Sequence, residues 1–87
     1  MVIFMNEELQ DLLEYVDELT IDANLPRTVK EKFKEISVEL KHVDGEAFSL
    51  KINKFLAELD DLCADSNLDA FTRQQIWSIS SMLESLS

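Results

Sequence analysis

Slid against itself by 43 residues, the chain aligns with its own second half without a gap. Leu13 meets Leu56, Asp17 meets Asp60, Leu19 meets Leu62 and Asp22 meets Asp65. Asn24-Leu25 falls on Asn67-Leu68, Ile36-Ser37 on Ile79-Ser80, and Leu40 on Leu83. Leu9, Leu12, Val16 and Phe33 meet Ile52, Phe55, Leu59 and Ile76, all apolar. A shared helical period would align apolar residues alone; it would not also align the Asp-x-Asn-Leu punctuation. The chain therefore reads as one unit written twice, over about residues 5–41 and 48–84.

Each unit reads as helix, tight turn, helix. Met5, Leu9, Leu12, Leu13, Val16 and Leu19 recur at three- and four-residue steps, which makes one helical stripe. The run "DANLP" then breaks it, because Asp and Asn favour turns and Pro26 is tolerated only in a helix's first turn. Val29, Phe33, Ile36 and Leu40 form the second stripe, and Gly45 is expected to cap that helix at its C-terminal end. The second unit repeats the pattern with Phe48, Ile52, Phe55, Leu56, Leu59 and Leu62, then "DSNLD", then Ile76, Ile79, Leu83 and Leu86. One Gly and one Pro leave little material for long loops, so the connections are short and neighbouring helices antiparallel. The expected fold is all-α, a single domain over residues 1–87: an up-and-down four-helix bundle made of two repeated hairpins. The alternative is two stacked hairpins of the HEAT kind. Leu25 and Leu68 are expected to plug the ends of the bundle, with Asn24 and Asn67 bonding the adjacent backbone.

Charge narrows the function. Eighteen acidic residues against eight basic ones give a net charge of −10, which repels nucleic-acid phosphates and anionic membranes. No apolar run is long enough to span a bilayer, and "MVIFMNEELQ" lacks the basic start and cleavage site of a signal peptide. A lone Cys63 allows no internal disulfide, which fits a reducing cytoplasm.

Gln74 to Met82, "QQIWSISSM", carries no charge although 30% of the chain is charged, and it holds the one tryptophan. At about 100° per residue, Thr72, Ile76, Ile79, Leu83 and Leu86 share the core side of the last helix. Trp77 then points away from it, among Ala70, Arg73, Gln74, Ser80, Ser81 and Glu84, with Phe71 and Met82 on a flank. In the first unit the positions of Trp77 and Met82 hold Lys34 and Glu39. Contact surfaces are depleted in charge and enriched in Trp, Phe and Met. Ala70, Phe71, Arg73, Gln74, Trp77, Ser81 and Met82 are therefore the expected interface, covered by a second copy in a dimer or by another protein. The internal alternative packs Trp77 against Val2, Ile3 and Phe4.

Chemistry is sparse. Glu39 and His42 have the Glu-x-x-His spacing of dimetal bundles, but the second unit offers only Met82 and Ser85 at those positions. Glu7, Glu8, Asp11, Glu14, Asp17, Glu18 and Asp22 lie opposite an apolar stripe and read as a solvated face. Cys63 falls on the core side with no activating base. Arg27, Lys30, Lys32 and Lys34 are interleaved with Glu31 and Glu35, as in ordinary surface pairing. No catalytic, metal or cofactor site and no small-molecule substrate is expected. The reading is a non-enzymatic helical interaction module that self-associates through the uncharged face of its last helix. Its rival is an acidic adaptor for a basic protein partner such as a nucleic-acid-binding protein.

The segment "LDDLCADSNLDAFTRQQIWSISSMLESL" resembles the closing part of a small archaeal family of uncharacterised proteins. The likeness rests on Asp65 and Asn67 in the turn, then Arg73, Ile76-Trp77 and Leu83-Glu84-Ser85. "DANLPRTVKEKFKEI" is similar to that family's first turn, where Pro-Arg leads into basic residues. The resemblance implies a cytoplasmic four-helix bundle and carries no activity. This chain departs from the pattern in placing Asp69 where a second Pro is usual, and in breaking the basic cluster with Glu31 and Glu35.

Overall fold

The structure, a computed structural model, describes residues 7–42 and 45–86. Four helices follow one another: α1 (Glu7–Thr20), α2 (Arg27–Lys41), α3 (Gly45–Cys63) and α4 (Ala70–Leu86). Each packs on its neighbours in sequence and α1 closes on α4, with no diagonal pair in contact. Stacked hairpins would instead set α1 on α3 and α2 on α4, so the chain is an up-and-down bundle. Expectations about Met5 and about Val2, Ile3 and Phe4 lie outside the described residues.

The stripes read from the sequence form the core. Leu12, Val16, Val29, Phe33, Ile36, Ile52, Phe55, Leu59, Ile76, Ile79 and Leu83 are fully buried, with Leu13, Leu19, Leu25 and Leu40 nearly so. Leu68 is only half-buried, so Leu25 seals its end of the bundle and its counterpart does so partially.

The turns share a hydrogen-bond pattern, with one correction to the expected roles. Asp22 Oδ1 accepts from the Asn24 backbone N–H at 2.8 Å, and Asp65 Oδ1 accepts from that of Asn67 at 2.9 Å. The aspartate is the capping side chain, because a carboxylate reaches the N–H two residues on and folds the backbone into an Asx turn. Leu25 and Leu68 then donate to the carbonyls of Asp22 and Asp65, both at 3.3 Å.

Beyond the turns the helix starts differ. Pro26 precedes α2 with φ −58° and supplies no side-chain cap. Asp69, in the matching place, accepts from the Thr72 backbone N–H at 3.1 Å, which satisfies one of the open donors of α4. A rigid ring starts one helix and a carboxylate starts the other. The Thr72 hydroxyl and backbone N–H hold the Asp69 carboxyl below its ordinary value. A depressed carboxyl stabilises the fold above its unfolded pKa, and that contribution is lost as pH falls through the folded value.

Gly45 corrects a second expectation. It opens α3 at φ +63° rather than capping α2, whose last turn is closed by the His42 N–H on the Glu39 carbonyl at 3.2 Å. Nothing crowds the position of a Cβ at Gly45, so its requirement is the left-handed backbone alone.

Thr72 is the one position of the core stripe on α4 that carries a polar group. Its hydroxyl is fully buried and makes no well-formed hydrogen bond, although it lies near the Asp69 carboxylate. Val29 stands at the same place in the first hairpin. Thr72→Val is expected to stabilise the protein by about 1 kcal/mol, the lower end of what an unmade buried hydrogen bond costs. The urea midpoint should rise. A fall would mean that the hydroxyl's attraction to Asp69 outweighs the cost of burying it.

Candidate contact surface on the last helix

The seven residues singled out on α4 do not form one patch. Ala70, Gln74 and Ser81 make an exposed, uncharged outer ridge. Trp77 is 61% exposed and leans toward α3, whereas Phe71 is 41% exposed and Met82 half-buried. Met82 packs against the core and borders a shallow groove with Glu8, Asp11 and Ser85, on the α1 side. That seam is also bridged by a hydrogen bond from the Tyr15 hydroxyl to Gln75 Oε1. Arg73 is half-buried, and its Nη2 donates to the Asp65 carbonyl at 3.0 Å while its buried Nε has no partner. Arg73 thus braces the second turn. Trp77 and the ridge lie together, and Met82 lies on a different side.

What the sequence reading missed is the space beside Trp77. A cleft of about 440 Å³ opens between α3 and α4. Leu56, Ala57, Leu59, Asp60 and Cys63 line it from α3, and Trp77, Ser80 and Glu84 from α4. Burial raises the Cys63 thiol; the Arg73 charge opposes this, Asp60 adds to it, and a hydrogen bond from the Trp77 side chain opposes it. With burial dominant, the thiol stays protonated near neutral pH and is a poor nucleophile.

Elsewhere several charged groups are engaged with one another. Glu39 pairs with Lys51, and that hydrogen bond holds the Glu39 carboxyl low against the opposing effect of burial. The Glu-x-x-His spacing therefore does not converge on a metal: His42 is exposed and ends α2. Among the described residues, no three His, Cys, Asp or Glu are grouped to hold one. Arg27 pairs with Glu31 at 3.4 Å on the surface. Lys32 reaches Glu35 at 3.2 Å and Glu58 on α3 at 3.0 Å. Burial works against its charge, yet the hydrogen bonds to Glu58 and Glu35 prevail and raise its pKa. The basic spot thus serves partly to join α2 to α3. No helix among the described residues is long and apolar enough to cross a membrane.

Comparisons with known proteins agree with this architecture. A protein of unknown function, MMP1188, has a crystal structure that superposes with a TM-score of 0.78. It covers 100% of this chain and 98% of its own at 24% identity, so the likeness concerns the fold. A UPF0147 protein of Archaeoglobus fulgidus is 34% identical over 79 residues, covering 91% of this chain and 88% of the relative. One from Methanosarcina acetivorans is 30% identical over 80 residues, 92% of this chain and 81% of the relative. The sequence profile of the uncharacterised protein family UPF0147 matches residues 3–86. Over nearly its whole length, the chain is a member of the UPF0147 family.

Proposed function

We propose that the protein is a non-catalytic helical interaction module that docks a protein partner through the Trp77 side of α4. The observation that carries this reading is Trp77 itself, 61% exposed at the edge of an uncharged ridge and beside an open cleft. Indole is a costly group to leave in water, and tryptophan is the side chain most enriched where partners bind. A protonated thiol at Cys63 and solvated carboxylates along α1 fit a binding role better than a chemical one.

Self-association is the second reading, favoured by the absence of charge on Ala70, Gln74 and Ser81. Against it, a two-fold contact centred on Trp77 brings the acids Asp60 and Glu84 toward a molecule whose own net charge is −10. A different protein escapes that repulsion. Sedimentation equilibrium over a wide concentration range is expected to give the monomer mass. A dimer that Trp77→Glu dissociates would assign the ridge to a second copy.

Trp77→Glu also tests whether the indole serves contact or folding. An exposed side chain that supports only binding should be replaceable with a stability change within about 0.5 kcal/mol. A loss well beyond about 1 kcal/mol in urea denaturation would make Trp77 part of the fold and overturn the contact reading.

A further inference from the structure

Two seams lie inside the hairpins. Asp17 accepts from the Ser37 hydroxyl at 2.7 Å between α1 and α2, and Asp60 and Ser80 line the cleft between α3 and α4. The hairpins meet each other along two further contacts, α2 on α3 and α1 on α4. Across the first, Lys32 reaches Glu58 at 3.0 Å, Lys54 reaches Glu35 at 3.8 Å, and Lys51 pairs with Glu39. Across the second, the Tyr15 hydroxyl donates to Gln75. A shift of 43 residues relates Lys32 to Gln75 and Tyr15 to Glu58, so the two contacts are built from equivalent positions. In sequence, His42, Val43 and Asp44 are all that separates α2 from α3. Gly45 then starts α3 at φ +63°, the one left-handed residue among those described.

We propose that Gly45 holds the chain closed against hairpin exchange with a second copy. In the exchanged dimer the α3–α4 hairpin of each copy packs on the α1–α2 hairpin of the other, with Gly45 in a right-handed conformation. Short connections favour such exchange, because the closed chain must turn sharply there and the exchanged one need not. Every contact between hairpins is remade between copies, so the balance rests on the turn and on the entropy of association. Glycine tolerates a left-handed backbone and weakens a helix, and on both counts it favours the closed chain. The end of the bundle that holds this turn also carries exposed apolar side chains. Val38, 48% exposed, precedes the end of α2 by about one turn, and Leu50, 68% exposed, follows the start of α3 by little more. Exchange brings a second copy to that end. It leaves the Trp77 side of α4 untouched, since the cleft beside it lies within one hairpin.

Gly45→Ala should reverse the preference. A Cβ disfavours a left-handed residue by about tenfold, and alanine favours a right-handed helical residue over glycine by about fivefold. With two turns in each dimer, the dimerisation constant should rise on the order of a thousandfold. Nothing crowds the position of that Cβ, so the effect belongs to the backbone alone. Sedimentation equilibrium up to millimolar protein should give a dimer for Gly45→Ala. Gly45→Asn should stay monomeric, because asparagine tolerates the left-handed backbone. Exchange itself is read from Glu39→Cys and Lys51→Cys, joined by a short bismaleimide in a Cys63→Ser background. On a denaturing gel the link should fall within one chain when Gly45 is kept and between two chains with Gly45→Ala. A Gly45→Ala protein that stays monomeric, or a dimer whose links stay within chains, would overturn the exchange. Equal dimerisation of Gly45→Asn would overturn the role of the left-handed turn. If Gly45→Ala loses its helical circular dichroism, the chain that keeps Gly45 decides. Refolded from urea at millimolar concentration and linked after dilution, it should show a fraction joined between chains, and the lack of one would reject exchange.

Discussion

Phe33→Ala is expected to lower the free energy of unfolding by about 3–5 kcal/mol. Phe33 lies on α2 and is among the largest side chains with no exposed surface. Its truncation removes the transfer energy of a phenyl ring and leaves a hole that neighbours on rigid helices fill only in part. Domains gain roughly 0.05–0.15 kcal/mol of stability per residue, so a chain of 87 residues loses about a quarter or more of its total. Urea denaturation followed by circular dichroism measures this, with Ile21→Ala as the control. Ile21 is 84% exposed, and its truncation should shift stability by no more than about 0.5 kcal/mol. A loss below about 1.5 kcal/mol for Phe33→Ala would mean that the layer around it collapses freely, and that the bundle is held by something other than its packed stripes.

The stripes were legible because a helix repeats its surface every few residues, and burial follows that period wherever a core is shared. Val16, Phe33, Ile52 and Ile79 needed no more than their spacing to be placed inside. The same arithmetic put Trp77 outside. Turn chemistry was half legible: Asp-x-Asn marks a turn, but which of the two side chains caps it depends on backbone angles that a sequence does not display. Gly45 failed for a related reason, since a glycine between two helices can end one or begin the next. The Trp77 cleft was invisible because it depends on how far apart two helices stand. That distance is set by pairs of side chains across a seam, as with Ser37 and Asp17, and helical period on one element says nothing about it. The clue lay in the repeat itself, in the change from Lys41 to Glu84 between otherwise matching positions. Helical period places Met82 on a flank of the Trp77 face, but it does not say which neighbouring helix meets that flank: Met82 borders α1, whereas Trp77 borders α3.

The repeat also turns the two seams into a controlled comparison of one residue in two settings. Asp17→Ala is expected to cost about 1–3 kcal/mol, although Asp17 itself is exposed. The cost arises on the other helix: Ser37 is buried, its hydroxyl donates to Asp17, and truncation leaves that donor without an acceptor in a place water reaches poorly. The Lys41 pair, at 3.5 Å and half in solvent, adds little. Asp60→Ala removes the equivalent carboxylate from a seam that is open to water, where Ser80 can be solvated. Its effect on stability should stay within about 0.5 kcal/mol, and relief of repulsion in so acidic a protein should tilt it toward stabilisation. Paired urea titrations of the two variants check both values. Serine decides between them, so Ser37→Ala in the Asp17→Ala background should recover most of the loss, because removing both partners leaves no unmet group. Equal costs at Asp17 and Asp60 would mean that the α3/α4 seam closes in solution as the α1/α2 seam does. The cleft beside Trp77 would then be absent from the free protein, and an occupant would have to open it.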